Sequence, residues 1–187
     1  MSDFIQFCNQ LAPLGQEAGE RLADKAKFRE FRPGDYLLKE GTVCRHLFFM
    51  ETGLAKMFFT NGAREFIMRF FPQNALFTQL ESFIAQAPST YSILALEPSS
   101  VTAISHDDLE ALCKQHHSIE TFFRKLLSVA SLNMMHRISE MLEENPAQRY
   151  HNFVSHNPEL LQRISLGDLA NYLGISQVSL SRIRARK

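Results

Sequence analysis

Tryptophan is absent from the 187 residues, cysteine occurs only three times, and 20 basic and 20 acidic side chains cancel to a formal net charge of zero. Each deficit removes a class of explanation. Cys8, Cys44 and Cys113 lie far apart, with no CxxC pair and no Cys/His quartet, so neither a disulfide framework nor a closed metal site is expected. That usage suits a reducing cytoplasm. A neutral chain has no global field to draw it onto nucleic acid or anionic lipid, so any such attraction must come from local clustering. No apolar run approaches the roughly 18 residues of a membrane-spanning helix. The opening MSDFIQFCNQ has neither the basic start nor the long apolar stretch of a signal peptide. No P-loop or Ser/His/Asp arrangement is present, and His46 is the only histidine of the β-rich stretch before His106, too few for a metal-holding barrel enzyme. Catalysis is not expected.

What is present is apolar bulk: 45% hydrophobic residues and sixteen phenylalanines, enough for a proper core. Three textures follow one another. Phe4 to Lys27 is short and helical, interrupted by Pro13. Phe28 to about Ser105 is strand-like, with YLL, HLFFM, LAKMFF, EFIMRFF, YSILAL and SVTAIS set between turn signals. Those turns are Arg32-Pro33-Gly34-Asp35, Glu51-Thr52-Gly53, Asn61-Gly62 and Glu97-Pro98-Ser99, and their spacing of roughly 8 to 12 residues is that of an antiparallel sandwich or barrel. Within EFIMRFF, alternation predicts a dry face of Phe66, Met68 and Phe70 and a wet face of Glu65, Ile67 and Arg69. After that the chain turns helical, with His106 or Asp107 as the expected N-cap of DDLEALCKQHH.

From Ser118 to Glu144 there is neither glycine nor proline. Ile119, Phe123, Leu127, Ala130, Met134, Ile138 and Met141 step by three or four, an apolar stripe of the kind that packs against another helix along its length. A core helix of a bundle is the plain reading. A dimerisation helix is the sharper one, because a β-rich domain of this size seldom needs so long a helix for itself. Asn145-Pro146 ends it.

The last segment, ISLGDLANYLGISQVSLSRIRARK, is organised around a glycine break. Ser165 and Asp168 form a capping-box variant, and Leu166, Leu169, Ala170 and Leu173 line one face. Gly174 stops the helix, Ile175 fills the corner and Ser176 caps a second helix, on which Leu180 and Ile183 face inward. Gln177, Val178, Ser181 and Arg182 share its outward side, with Ser179 and Arg184 flanking. A helix, a short glycine turn and a second helix with polar residues leading make a helix-turn-helix. From Arg163 onward five basic residues face only Asp168, so the neutral total conceals a local charge of +4.

Taken in order, FRPGDYLLKEG, HLFFMETGLAKMFF, REFIMRFFPQNALFTQL, VTAISHDDLEALC, the long helix and LANYLGISQVSLSRIR resemble the parts of the cyclic-AMP receptor protein and fumarate–nitrate regulator (Crp/Fnr) family of bacterial transcription factors, and within it a branch found in Bacteroidetes-like bacteria. The resemblance implies an α+β fold: a cyclic-nucleotide-binding-type β-roll (jelly roll) with flanking short helices over residues 1–117, a dimerisation helix over 118–144 and a helix-turn-helix over 145–187. It implies a homodimeric, cytoplasmic, sequence-specific DNA-binding regulator, with double-stranded DNA, RNA polymerase and a small-molecule effector as partners and no cofactor. The stripe from Ile119 to Met141 would be the dimer seam.

Carried over position by position, Gln177, Val178 and Arg182 match base-contacting positions, with Gln177 suited to adenine and Arg182 to guanine. Ser176 and Ser179 match phosphate-contacting positions. Val178 stands where glutamate is usual, so the target sequence should differ. The family's terminal β-hairpin wing finds no counterpart in this sequence, which leaves Arg184, Arg186 and Lys187 as the local basic substitute. In the ligand cassette, Gly-Glu-Leu is replaced by Thr78-Gln79-Leu80, and the Arg-Ser that neutralises a cyclic phosphate falls on Ser89-Thr90. Burying a phosphate there without a cation is costly, so tight cyclic-AMP binding is not expected. The four-cysteine iron–sulfur set is also missing, and Cys113 with His116 and His117 reads as polar helix surface. The rival reading is a ligand-binding or protein-interaction module whose helical end no longer touches DNA.

Overall fold

The structure is a computed structural model that describes residues 3–185, so Arg186 and Lys187 lie outside the described residues. Two short helices, α1 (Asp3–Leu11) and α2 (Gln16–Lys25), lead into the strands β1 (Lys27–Phe31), β2 (Tyr36–Leu38), β3 (His46–Thr52), β4 (Ala55–Asn61), β5 (Arg64–Phe71), β6 (Leu76–Phe77), β7 (Ser92–Ala95) and β8 (Ser99–Ser105). A single helix, α3 (Leu80–Ala85), interrupts them between β6 and β7. The chain then becomes helical: α4 (His106–Gln115), α5 (His117–Glu143), α6 (Pro146–His156), a 3-10 turn (Pro158–Gln162), α7 (Leu166–Leu173) and α8 (Gln177–Ala185).

The strands form two four-stranded sheets, ordered β1-β8-β3-β6 and β2-β7-β4-β5. β8 pairs antiparallel with both β1 and β3, with Lys27 and Phe48 each opposite Ala103. By contacts the chain forms two compact units, residues 1–57 with 70–130, and residues 58–69 with 131–187. In the first, Phe48, Met50, Ile93, Val101 and Ile104 fill the roll. Phe4, Leu22, Leu109, Ile119 and Phe122 close it from the helices, each no more than 1% exposed. Phe71 stacks on Phe77 with ring centroids 4.1 Å apart, and Phe4 tilts against Phe49 at 5.8 Å.

Helix α5 spans 27 residues without a break, as the absence of glycine and proline predicts. It is shared between the units, residues up to Ala130 belonging to the first and those from Ser131 to the second. Two local expectations need correction. The N-cap of α4 is Ser105, whose Oγ accepts from the Asp108 amide at 3.1 Å; His106 and Asp107 lie inside the helix. A short hydroxyl reaches that amide from the extended Ser105 backbone, which continues directly from β8. In EFIMRFF the dry and wet faces are not separated: Ile67 is buried and Met68 is 37% exposed. The strand is enclosed on both sides at its end, where the adjacent Phe70 and Phe71 are both buried, and open on the Met68 side in its middle. A two-residue alternation describes a sheet with one covered face, not a strand whose cover changes along its length.

Gly53 turns β3 into β4 with φ of 98°, and a Cβ built there would fall 2.2 Å from Ser99 Oγ and 2.7 Å from Ser99 Cα. The second contact is with backbone and cannot be relieved by a rotamer change. Ser99 is also fixed, its Oγ donating to Glu97 O at 2.8 Å and accepting from the Leu54 amide at 3.3 Å. Gly53→Ala combines positive-φ strain with overpacking and should cost about 2–5 kcal/mol, measured by urea denaturation, with no change in the native circular dichroism of the surviving folded fraction.

Candidate nucleic-acid interface and sensor cassette

The C-terminal helices are set by their caps. Asn145 starts α6 with a full capping box: its Oδ1 accepts from the Ala147 and Gln148 amides, and Gln148 Oε1 accepts from the Asn145 amide at 2.9 Å. Ser165 caps α7, accepting from the Asp168 amide at 2.9 Å and donating to Asp168 Oδ2 at 2.7 Å. Gly174 ends α7 in the left-handed region at φ 72°, and the Ile175 amide returns to Ala170 O at 3.0 Å. Ser176 then caps α8, accepting from the Ser179 amide at 3.1 Å. Leu169, Ala170, Leu173 and Leu180 are buried between the two helices, each 3% exposed or less.

That packing decides what α8 presents. Gln177, Val178, Ser181, Arg182 and Arg184 are exposed, Val178 by 62%; Ser176 is exposed too, and Ser179 is half-buried with its Oγ 2.9 Å from Ser176 Oγ. The two cap hydroxyls therefore satisfy each other and the helix end. Gln177 folds back over the first turn of α7: a Cβ on Gly167 would lie 2.9 Å from Gln177 Nε2. Gly167 leaves the room that this amide occupies.

Two arginines that the sequence reading passed over hold the far end of α7. Arg149 is only 7% exposed; its Nε donates to Leu173 O at 3.2 Å and its Nη1 to Glu144 O. Arg137 donates to Tyr172 O, lies 4.0 Å from the centre of the Tyr172 ring and pairs with Glu140. Both guanidinium groups meet carbonyls at a helix C-terminus, where the orphan acceptors and the helix dipole favour cations. No motif marks such arginines, because their partners are backbone atoms far off in sequence. Phe153 completes the platform, its ring 5.1 Å from that of Tyr172. Burial raises the pKa of the Tyr172 hydroxyl, a shift that Arg137 opposes.

The apolar stripe of α5 divides. Ile119 is fully buried in the protomer's own core and is not available to a partner, which corrects its place in the expected seam. Phe123 sits edge-on to Phe83 at 6.2 Å, and Leu127 and Ala130 are half-buried. Met134, Ile138 and Met141 are exposed, and they are joined by Val129, Leu132, Met135 and Leu142, which the stripe omitted. These seven span 40–81% exposure. A periodicity count takes one best-fitting row of side chains, whereas this stretch carries apolar residues on two adjoining rows.

In the cassette the four expected ligand residues are mostly committed to the fold. Gln79 is buried and caps α3, its Oε1 accepting from the Ser82 amide at 2.6 Å. Thr78 Oγ1 donates to His46 O at 2.9 Å. Ser89 Oγ donates to Tyr91 O at 2.9 Å and accepts from the Tyr91 amide at 3.0 Å. Thr90 alone is exposed. None of the four carries a positive charge. Among the described residues no group of three or more His, Cys, Asp or Glu is placed to hold a metal ion, and no helix is long and apolar enough to cross a membrane. Cys113 is half-buried and its thiol is pushed up to about 11 by burial, Glu110 and Glu120, which disfavours the thiolate a metal would need.

Residues 28–116 match the family model of the cyclic nucleotide-binding domain. Solved structures share the fold over most of their length. The c-di-GMP-responsive global regulator CLP of Xanthomonas campestris is 17% identical with a TM-score of 0.72, covering 91% of this chain and 90% of its own. FixK2 of Bradyrhizobium japonicum is 17% identical with a TM-score of 0.71, covering 86% and 83%. A transcriptional regulator assigned to the crp/fnr family from Eubacterium rectale is 13% identical with a TM-score of 0.74, covering 91% and 82%. No curated protein matches the sequence significantly. The fold is therefore α+β, an antiparallel β-roll of cyclic-nucleotide-binding type followed by a long helix and by C-terminal helices in a helix-turn-helix-like arrangement, as in these regulators.

Arg149→Ala should leave Leu173 O and Glu144 O without their buried donor and cost about 2–4 kcal/mol. Native-state hydrogen exchange is the measurement: protection in α6 and α7 should fall while that of β3 and β8 is retained.

Proposed function

We propose that the protein is a homodimeric transcriptional regulator that reads duplex DNA with α8, with residues 145–187 as the DNA-binding part, 118–144 as the dimer helix and 1–117 as the sensor. The observation that carries this reading is the exposed row Gln177, Val178, Ser181 and Arg182 on a helix whose other side is pinned by Leu180. A rigid helix with polar side chains on its leading outward face fits the major groove. Ser176, Ser179 and Arg184 stand beside that row and suit the phosphate backbone. Support for the dimer comes from the seven exposed apolar residues between Val129 and Leu142, an expanse that a monomer would leave in water. Two copies would place their α8 helices on half-sites about one DNA turn, roughly 34 Å, apart.

The first measurement is selection of binding sites from random duplexes, followed by affinity of the selected site as a function of salt. Binding should weaken steeply with salt and involve two chains per duplex. Arg182→Ala should lose about 1–3 kcal/mol at the selected site and relax the preference at one base pair. An unchanged affinity would remove Arg182 from base readout, and failure to select any site would leave the helical end to protein contacts.

The sensor is proposed not to take cyclic AMP tightly. Its cassette lacks a cation, and the hydroxyls and amide that replace one are already bonded to the backbone. Micromolar cyclic AMP should leave the melting temperature unchanged; a rise of several degrees contradicts the reading.

A further inference from the structure

A second cluster of charge lies on the β1-β8-β3-β6 sheet. Arg29 of β1 reaches across β8, and its Nη2 lies 2.8 Å from His46 Nε2 on β3. A guanidinium can only donate, so the imidazole accepts there and is held neutral, with its proton on Nδ1. Lys27 lies two residues from Arg29 on the same strand and therefore on the same face. Arg45 immediately precedes His46. Burial lowers the pKa of the ring, and Arg29, Lys27 and Arg45 add to the shift, which puts all three cations within electrostatic reach of one half-buried side chain.

The fold balances them only in part: Lys27, behind Ser105 and Lys25, helps hold the Asp108 carboxyl below its ordinary value. Among the described residues no carboxylate lies within ion-pair distance of Lys27, Arg29 or Arg45. Asp108 itself is engaged by Ser105 Oγ at 2.6 Å and Lys25 Nζ at 3.1 Å. Glu30 falls on the opposite face of β1 by alternation, and Glu51 accepts from Thr102. Arg29 uses a single N–H on His46, and its side chain has no other hydrogen bond among the described residues. A neutral ring that holds Arg29, with Lys27 and Arg45 in electrostatic reach and most of the donors unspent, forms the complement of a compact multiply charged anion.

We propose that Lys27, Arg29, Arg45 and His46 form a binding site for a small phosphate-type anion carrying at least two negative charges. Arg29 would bridge the anion and His46, and Lys27 and Arg45 would supply the remaining charge. The cluster spans only the width of three strands, about 10 Å, with an imidazole half-buried at its centre. That suits a small solute better than an extended nucleic-acid backbone, which needs a longer run of cations. This site is independent of the DNA reading; it adjoins the Thr78–Thr90 cassette through the His46 carbonyl, which accepts from Thr78 Oγ1, but draws on other side chains.

The test is calorimetry of the full chain with pyrophosphate, at ionic strength held constant with chloride, alongside nuclear magnetic resonance of the histidine rings. Expected are saturable binding, a shift of the His46 ring resonances, and at least about a tenfold loss of affinity in Arg29→Gln, the loss of a charge-assisted hydrogen bond. Lys27→Gln, at an exposed position, should weaken binding as well and serves if Arg29→Gln does not fold. Chloride reproducing the pyrophosphate shift, or binding unchanged in either folded variant, overturns the proposal. So does a His46 response to duplex DNA or to anionic phospholipid vesicles with none to pyrophosphate, which would assign the patch to a macromolecular surface.

Discussion

The carbonyls at the C-terminus of α7 are the constraint on which the second compact unit depends. A helix that stops at Gly174 puts the Tyr172 and Leu173 carbonyls beyond its own ladder in a partly buried place, where they must be met by other donors or the helix end opens. Arg149 from α6 and Arg137 from α5 meet them, each using other contacts to fix itself: Glu144 O for one, Glu140 and the Tyr172 ring for the other. Three helices are thereby tied at one point. With α7 held, the burial of Leu169, Ala170 and Leu173 against Leu180 fixes the roll of α8 about its axis. The outward display of Gln177, Val178 and Arg182 is a consequence of that chain of contacts more than of any preference of those three residues.

Helix α5 serves two different environments with one uninterrupted backbone. Its first turns give Ile119 and Phe122 to the core of the β-roll, which is a packing role. Its later turns give Arg137 to α7 and leave Leu132, Met135 and Leu142 in the open. The proposed anion site lies in the β-roll, among cations that have no direct ion pair among the described residues.

Much of the architecture was legible in the chain. The turn signals from Arg32-Pro33-Gly34-Asp35 to Glu97-Pro98-Ser99 delimit the strands because glycine, proline and short polar residues act through local backbone geometry. Ser165, Gly174 and Ser176 announced the helix pair for the same reason. The cassette was legible only as a substitution of residue types: that Gln79 and Ser89 are spent on the backbone needed the neighbouring amides and carbonyls in place. Arg149 gave no sign, and the pairing of Arg29 with His46 gave none, since each joins residues that only folding brings together.

The sequence by itself determined the succession of a helical start, a strand-rich middle and a helical end, the length of α5, the break at Gly174 and the clustering of charge at the C-terminal end, all properties of short segments and their periodicity. The tertiary structure alone decided which side of α5 remains exposed, how Gln177 rests over Gly167, which arginines close α7, and that Arg29 meets His46 across β8. The physical reason is range. Capping, turns and amphipathic spacing act over a few residues, whereas burial and charge balance are set by neighbours from distant parts of the chain.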